Sequence, residues 1–196
     1  MVSNILLSIT VLMPTVFIAR TYGSSALGQY ALAYQVMCFP SVLLGGAIGK
    51  VYFQRASARW VQGLSFTDIW QSTAKNLILI GLPIYTVASL AMPWLFPFLF
   101  GNAWKPAGTY GAILAISAFF SFTASPMGFS SVIVGAWQYL PLWHAARTLA
   151  TSLVILLSSL LALDIKAFLV LFVIQETMLH LIDFYFEWRF AIRKPI

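Results

Sequence analysis

Long apolar runs separated by short polar turns are the feature that most restricts the fold of this sequence. Of its 196 residues, 61% are hydrophobic and 8% are charged, whereas soluble domains carry about 25% charged residues. An apolar helix of ~20 residues is long enough to cross a ~30 Å hydrocarbon core. Inside lipid a helix also satisfies its own backbone polar groups. The sequence therefore predicts an all-α, polytopic membrane protein.

Six of these runs are predicted to be transmembrane helices of one bundle, a single transmembrane domain comprising residues 1–196. The predicted spans cover about residues 3–20, 26–50, 75–100, 107–135, 141–163 and 166–189. Prolines occur inside several of them, at Pro14, Pro40, Pro83, Pro93, Pro97 and Pro126. Because an internal proline removes a backbone hydrogen bond, we expect several of these helices to be kinked.

The basic residues predict an orientation in the membrane. With six spans, seven basic residues fall on one side, namely Lys50, Arg55, Arg59, Lys75, Arg189, Arg193 and Lys194. Three fall on the other side, namely Arg20, Lys105 and Lys166. The positive-inside rule then places both termini in the cytoplasm. The sequence has a net charge of +6, but its basic residues lie at helix ends and form no patch together with polar surface. The expected partner is therefore membrane lipid and not nucleic acid.

The last two predicted spans contain the ionisable residues His144, Arg147, Glu176, His180, Asp183 and Glu187. Arg147, Glu176, His180 and Asp183 are the candidate residues for a substrate cavity or a coupling site. The last four ionisable residues, from Glu176 to Glu187, are separated by three or four residues, which places them on one helical face. Because charge inside a membrane usually faces a bundle interior or a water-filled cavity, we expect an inward-facing cluster. Arg147 and Asp183 are the same number of residues away from the centre of the turn predicted at residues 164–166. They should therefore lie at the same depth in the hairpin, which predicts that they pair.

Two of these groups have alternative interpretations. Arg147 could bind a diphosphate or a sugar carboxylate, because a guanidinium suits such oxyanions. Alternatively, it pairs with Asp183 and reaches toward the lipid headgroups. Glu176 and His180 could form a proton or cation coupling site. Alternatively, Glu176 is a neutral acid that is hydrogen-bonded to His180 or to a serine such as Ser152.

Motifs for covalent chemistry are missing from the sequence. It has no nucleophile elbow, no glycine-rich phosphate loop and no zincin motif. Glu176 and His180 could supply two metal ligands, but no third ligand follows with convincing spacing. A membrane transferase needs a polar interfacial loop, and the longest loop, about residues 61–72, contains only Asp68 as an acidic group. We therefore expect no enzyme activity, no catalytic residue, no cofactor and no metal.

Two similar turns carry a family resemblance. The residues are Pro14, then Ala19-Arg20-Thr21-Tyr22-Gly23 and Leu27-Gly28-Gln29-Tyr30-Ala31, and later Phe100-Gly101-Asn102-Ala103-Trp104-Lys105-Pro106-Ala107-Gly108. They resemble the start of the second, C-terminal half of the bacterial polysaccharide flippases that export O-antigen and capsule. These belong to the multidrug/oligosaccharidyl-lipid/polysaccharide exporter superfamily. Each turn has an aromatic residue and glycine followed by Gly-x-Tyr, which suggests that both turns lie on the same side of the membrane.

The resemblance implies a transport function. Such proteins move an oligosaccharide linked to undecaprenyl diphosphate across the bacterial inner membrane, by alternating access between two lobes of about six helices each. This chain contains one lobe, so the resemblance implies a second lobe from another chain or from a homodimer partner. The alternatives are a lobe of a cation-coupled exporter of drugs or small molecules, and a truncated, non-functional membrane fragment.

Overall fold

The computed structural model describes the backbone of residues 2–194, and within it the side chain of Leu6 and those from residue 8 onward. This part of the chain is helical and contains no strand. Its α-helices are α1 (Val2–Thr21), α2 (Gly23–Pro40), α3 (Gly46–Val61), α4 (Thr67–Phe100), α5 (Lys105–Ala124), α6 (Phe129–Ile133), α7 (Tyr139–Leu160) and α8 (Ile165–Ala191).

The helices have the length and the surface of membrane spans. Five helical stretches within the described residues are long and apolar enough to cross a bilayer, and Ser8–Thr21 is a shorter apolar helix. The five are Gly23–Val61, Thr67–Phe100, Asn102–Ile133, Tyr139–Leu160 and Ile165–Ala191. Large apolar side chains such as Leu90 and Leu160 are exposed on the outside of the bundle. Such a surface fits lipid and not water, so this is a multi-pass membrane protein.

Two helical stretches change their hydrogen-bonding pattern next to a proline. Pro40 is followed by a π-helical segment, Ser41–Gly45, which joins α2 to α3 without a break. The combined 39 residues measure ~58 Å, so the stretch extends beyond a ~30 Å hydrocarbon core. Pro126 lies in a 3₁₀ segment, Ser125–Gly128, that separates α5 from α6.

Two helix boundaries differ from the sequence-based expectation. The third span begins at Thr67 and not at about residue 75, so part of the loop predicted at about residues 61–72 belongs to this helix. The hydroxyl of Thr67 donates to the carbonyl of Ala191 at 3.0 Å and joins the start of α4 to the end of α8. The last turn covers residues 161–164 and not 164–166. Asp164 caps α8 by accepting from the backbone N–H of Ala167 at 3.2 Å.

Helix α5 lies at the centre of the bundle. It packs against α2, α4 and α8, while α1 packs against α2 and α7, and α7 packs against α8. The approach of α4 and α5 depends on a glycine. A Cβ added at Gly108 would lie 2.5 Å from the carbonyl oxygen of Met92 and 3.0 Å from Cα of Pro93. Only a residue without a side chain permits this backbone contact.

Three turns meet at one end of the bundle. The hydroxyl of Tyr22 donates to the carbonyl of Leu163 at 2.9 Å, and Nε2 of Gln29 donates to the carbonyl of Ala103 at 3.2 Å. Burial raises the pKa of Tyr22, and the charge of Asp164 adds to this rise, so the phenol remains a neutral donor. These contacts confirm that the two similar turns lie on the same side of the bundle.

Candidate functional site

The candidate site is built on the inward face of α8. Glu176, His180, Asp183 and Glu187 are 4%, 7%, 8% and 1% exposed. Their spacing places them on one stripe of the helix, and the packing of α5 and α7 against α8 covers that stripe. The prediction that these four side chains face the interior is confirmed.

Glu176 connects α7 with α8. Its two carboxylate oxygens accept from Arg147, Oε1 from Nε at 3.2 Å and Oε2 from Nη2. Nε2 of Gln175 also donates to Oε1 at 3.3 Å. Nε2 of His180 lies 3.7 Å from Oε2. A bidentate ion pair of this kind fixes the orientation of both groups and satisfies a charge that would otherwise be costly to bury.

The predicted ion pair between Arg147 and Asp183 is wrong. The prediction counted from Ile165, but the turn lies earlier, at residues 161–164. Arg147 lies 13 residues before the end of α7, and Glu176 lies 11 residues after the start of α8, so these two are nearly level. The proposed hydrogen bond between Glu176 and Ser152 is also not found, because the hydroxyl of Ser152 donates to a backbone carbonyl of its own helix.

Asp183 and Glu187 each have a partner outside the predicted set. The hydroxyl of Tyr139, in the first turn of α7, donates to Oδ1 of Asp183 at 2.7 Å. The backbone N–H of Ser131, in α6, donates to Oε2 of Glu187 at 3.0 Å. Oε1 of Glu187 is buried and has no hydrogen-bond partner among the described residues. The two carboxylates therefore attach the C-terminal half of α8 to α7 and α6.

A polar cavity lies beside the Arg147–Glu176 pair. It is bounded by α1, α2, α5, α7 and α8, and its polar lining residues are Thr10, Tyr30, Tyr34, Cys38, Ser41, Ser117, Ser121, Arg147, Glu176 and His180. Its volume is about 80 Å³, which is room for roughly six ordered water molecules. Asp183 does not line this cavity, so the structure separates it from the other three predicted site residues.

Two tyrosines of α2 form an aromatic wall of the cavity. The rings of Tyr30 and Tyr34 stack with centroids 5.8 Å apart and planes at 26°. Tyr30 is 4% exposed, whereas Tyr34 is 38% exposed. Sequence reasoning did not select them, although their spacing of four residues placed both on one helical face. No group of three His, Cys, Asp or Glu side chains within the described residues could hold a metal ion.

The fold and the site together define a class, which is a helical membrane protein with a polar cavity among its spans. Residues 1–109 match the model of a family described as polysaccharide biosynthesis protein. Because this match covers more than half of the 196 residues, the chain belongs to that family. No curated protein and no solved structure matches. The charged residues of α7 and α8 lie beyond the matched region.

Proposed function

We propose that this chain forms one lobe of a carrier that translocates an oligosaccharide linked to undecaprenyl diphosphate across the bacterial inner membrane. The supporting observation is a polar cavity among the spans of a member of a polysaccharide biosynthesis family. This carrier belongs to the multidrug/oligosaccharidyl-lipid/polysaccharide exporter superfamily, and its reaction involves no covalent chemistry.

Six spans and cytoplasmic termini complete this proposal. Helix α1 has 20 residues and serves as the first span, and its segment Ser8–Thr21 is a shorter apolar helix. The remaining five spans then alternate between two ends of the bundle. The end with α3 and the last turn of α8 carries most of the basic residues, which favours the cytoplasmic side.

The size of the cavity supports the need for a second lobe. A volume of about 80 Å³ admits part of one head group and not an oligosaccharide repeat unit. The substrate therefore extends past this lobe and contacts a second wall. A partner chain, a second copy or another part of a longer polypeptide supplies that wall, and alternating access requires the two walls to move relative to one another.

Reconstitution in liposomes tests the proposal. A fluorescent oligosaccharide on undecaprenyl diphosphate is placed in both leaflets, and a membrane-impermeant quencher reports the fraction that becomes accessible from outside. We expect liposomes that contain the chain together with its second lobe to expose the inner-leaflet substrate. We expect Arg147→Gln to slow this exchange, because it leaves Glu176 buried without its ion-pair partner.

Arg55→Gln is the matched control, because Arg55 is exposed on α3 and lies outside the cavity. Exchange that equals that of empty liposomes in every combination of lobes contradicts the translocation function. An exchange rate that falls equally in Arg147→Gln and Arg55→Gln contradicts a specific role of Arg147 in translocation.

A cation-coupled exporter of drugs or small molecules is the second candidate. The observation that favours it is the excess of buried carboxylates on α8, where three acidic groups are buried and one of them, Glu176, is paired with an arginine. In this function Glu176 exchanges a proton or binds a cation during the cycle. Transport of a cationic dye by the wild type, and loss of its dependence on the pH gradient in Glu176→Gln, would support this candidate. Undiminished, pH-dependent transport by that variant rules out the coupling role.

A further inference from the structure

The charges that line the cavity cancel. Arg147 is the one cationic side chain among the described lining residues, and both of its contacts go to Glu176, which lines the same cavity. The Arg147–Glu176 pair therefore contributes no net charge to the lining. A diphosphate diester carries two negative charges at neutral pH. Entry of such a group would leave buried charge without compensation, which is strongly unfavourable.

The remaining lining matches a ligand with many hydroxyl groups. The ion pair places guanidinium donors next to carboxylate acceptors, and adjacent hydroxyls of a sugar ring need one of each. Ser41, Ser117 and Ser121 also line the cavity. Each of these hydroxyls is already hydrogen-bonded within the protein, and its oxygen has a second lone pair that can accept from a sugar hydroxyl without burying an additional charge.

Tyr34 provides the apolar part of such a site. It is held by its stacking on the buried ring of Tyr30, and its own ring is 38% exposed. A rigid aromatic surface of this kind binds the C–H face of a pyranose ring at little cost in side-chain entropy. The cavity volume of about 80 Å³ is roughly half that of a cavity that encloses benzene, so it admits the hydroxyl groups on one edge of a sugar ring while the rest of the ring lies on the exposed side of Tyr34.

We propose that this cavity receives one edge of an uncharged sugar ring, which stacks on Tyr34 and is hydrogen-bonded to the Arg147–Glu176 pair, and that the cavity excludes the diphosphate. The inference rests on the proposed function and narrows it, because the lobe then recognises the glycan and not the lipid diphosphate. The diphosphate lies outside this cavity during recognition.

Binding to the full chain in lipid nanodiscs tests the proposal. The probes are methyl glucoside as the neutral sugar, glucuronate as the charged sugar and inorganic pyrophosphate as the anion. We expect saturation-transfer NMR to detect methyl glucoside and pyrophosphate not to displace it. Tyr34→Ala should weaken sugar binding roughly five- to tenfold. Tyr34→Phe, which keeps the ring, should retain the binding, and Tyr185→Ala, which removes an exposed tyrosine of α8, is the matched control.

Glu176→Gln is the most discriminating variant. It frees Arg147 and gives the cavity a positive charge, so pyrophosphate should now compete with the sugar. Pyrophosphate or glucuronate that displaces methyl glucoside from the wild type overturns the proposal, as does the absence of sugar binding by the wild type. A melting temperature of Tyr34→Ala that equals that of the wild type excludes misfolding as the cause of weaker binding.

The liposome assay separates this inference from the proposed function. If lipid-linked oligosaccharide is translocated while the wild-type cavity prefers pyrophosphate, only the inference fails. If the cavity binds sugar as described and no combination of lobes moves the lipid-linked substrate, only the translocation function fails.

Discussion

The ion pair between Arg147 and Glu176 is the first interaction that can be tested residue by residue. Removing one partner leaves the other charge buried, so Arg147→Ala should destabilise the protein by about 3–5 kcal/mol. We expect Glu176→Ala to cost little more once Arg147 has been removed. A double-mutant cycle, measured by SDS-induced unfolding in mixed micelles, gives the coupling energy of the pair.

Asp183 is the matched control for that cycle, because it was the expected partner of Arg147 and instead accepts from Tyr139. We expect the coupling energy of Arg147 with Asp183 to be clearly smaller than that with Glu176. An equal or larger value would contradict the register of α7 and α8 described above.

Tyr139→Phe tests the second carboxylate of α8. The substitution keeps the ring and removes the hydroxyl that donates to Oδ1 of Asp183 at 2.7 Å. Because a buried carboxylate then loses a hydrogen bond, we expect a loss of about 1–2 kcal/mol in unfolding free energy. Tyr185→Phe, at an exposed position of α8, should have no measurable effect. Equal unfolding free energies of the wild type, Tyr139→Phe and Tyr185→Phe would show that the contact between Tyr139 and Asp183 does not stabilise the protein.

The candidate site was predictable only in part. The face of α8 follows from a helical period, so the inward position of Glu176 and His180 could be read from their spacing. The partners of these side chains on α7 could not be predicted, because they depend on the residue at which the hairpin of α7 and α8 turns. A shift of about three residues in the position of the turn moves the level partner by about six residues, which is nearly two helical turns. The contact between Glu187 and Ser131 joins positions 56 apart in the chain, and no local pattern encodes it.

Helix α6 depends on the side chain of Glu187. This helix has five residues, too few to be stable alone, and Glu187 accepts from the backbone N–H of Ser131 within it. We expect Glu187→Ala to destabilise the protein by about 1–3 kcal/mol, because it leaves this N–H unpaired. Glu187→Gln keeps an amide oxygen as acceptor and should therefore lose less stability than Glu187→Ala. Faster hydrogen exchange at residues 129–133 in the alanine variant only would support this role, and equal exchange in both variants would contradict it.

The crossing of α4 and α5 depends on Gly108. In Gly108→Ala the new Cβ meets backbone atoms of Met92 and Pro93 at 2.5–3.1 Å, and backbone cannot rotate away as a side chain can. We expect a loss of about 1–3 kcal/mol in unfolding free energy. Gly28→Ala is the control, because this helical glycine has open space around its Cβ position and alanine favours helix. Equal stability of both variants would contradict the close contact.

The helical elements themselves were largely predictable from the sequence. Apolar runs longer than a soluble helix needs leave no alternative to a spanning helix. The start of α4 was placed too late, at about residue 75, whereas the helix begins at Thr67 and includes both Asp68 and Lys75. The π-helical turn after Pro40 was not anticipated, since proline indicates a disturbed helix but not the hydrogen-bonding pattern that replaces the lost bond.

At the scale of the whole molecule, the two ends of the bundle differ in charge, and this difference predicts its orientation. Tyr22, Gln29, Ala103 and Leu163 bring three turns together at the end with few basic residues. At the other end, the start of α4 meets the last turn of α8 through Thr67. If the positive-inside rule holds, the first end faces the periplasm and the second faces the cytoplasm.

Single cysteines introduced at exposed turn positions test this orientation. In a Cys38→Ser background, which removes the one native cysteine, Ser24→Cys and Asn102→Cys report the first end and Gln62→Cys reports the second. A membrane-impermeant maleimide added to spheroplasts should label the first two variants, and should label the third only after the membrane is permeabilised. Labelling of Gln62→Cys in intact spheroplasts with protection of the other two would reverse the orientation. Labelling of Ser24→Cys without Asn102→Cys would separate two turns that the Gln29–Ala103 contact holds together, and would contradict the arrangement of the spans itself.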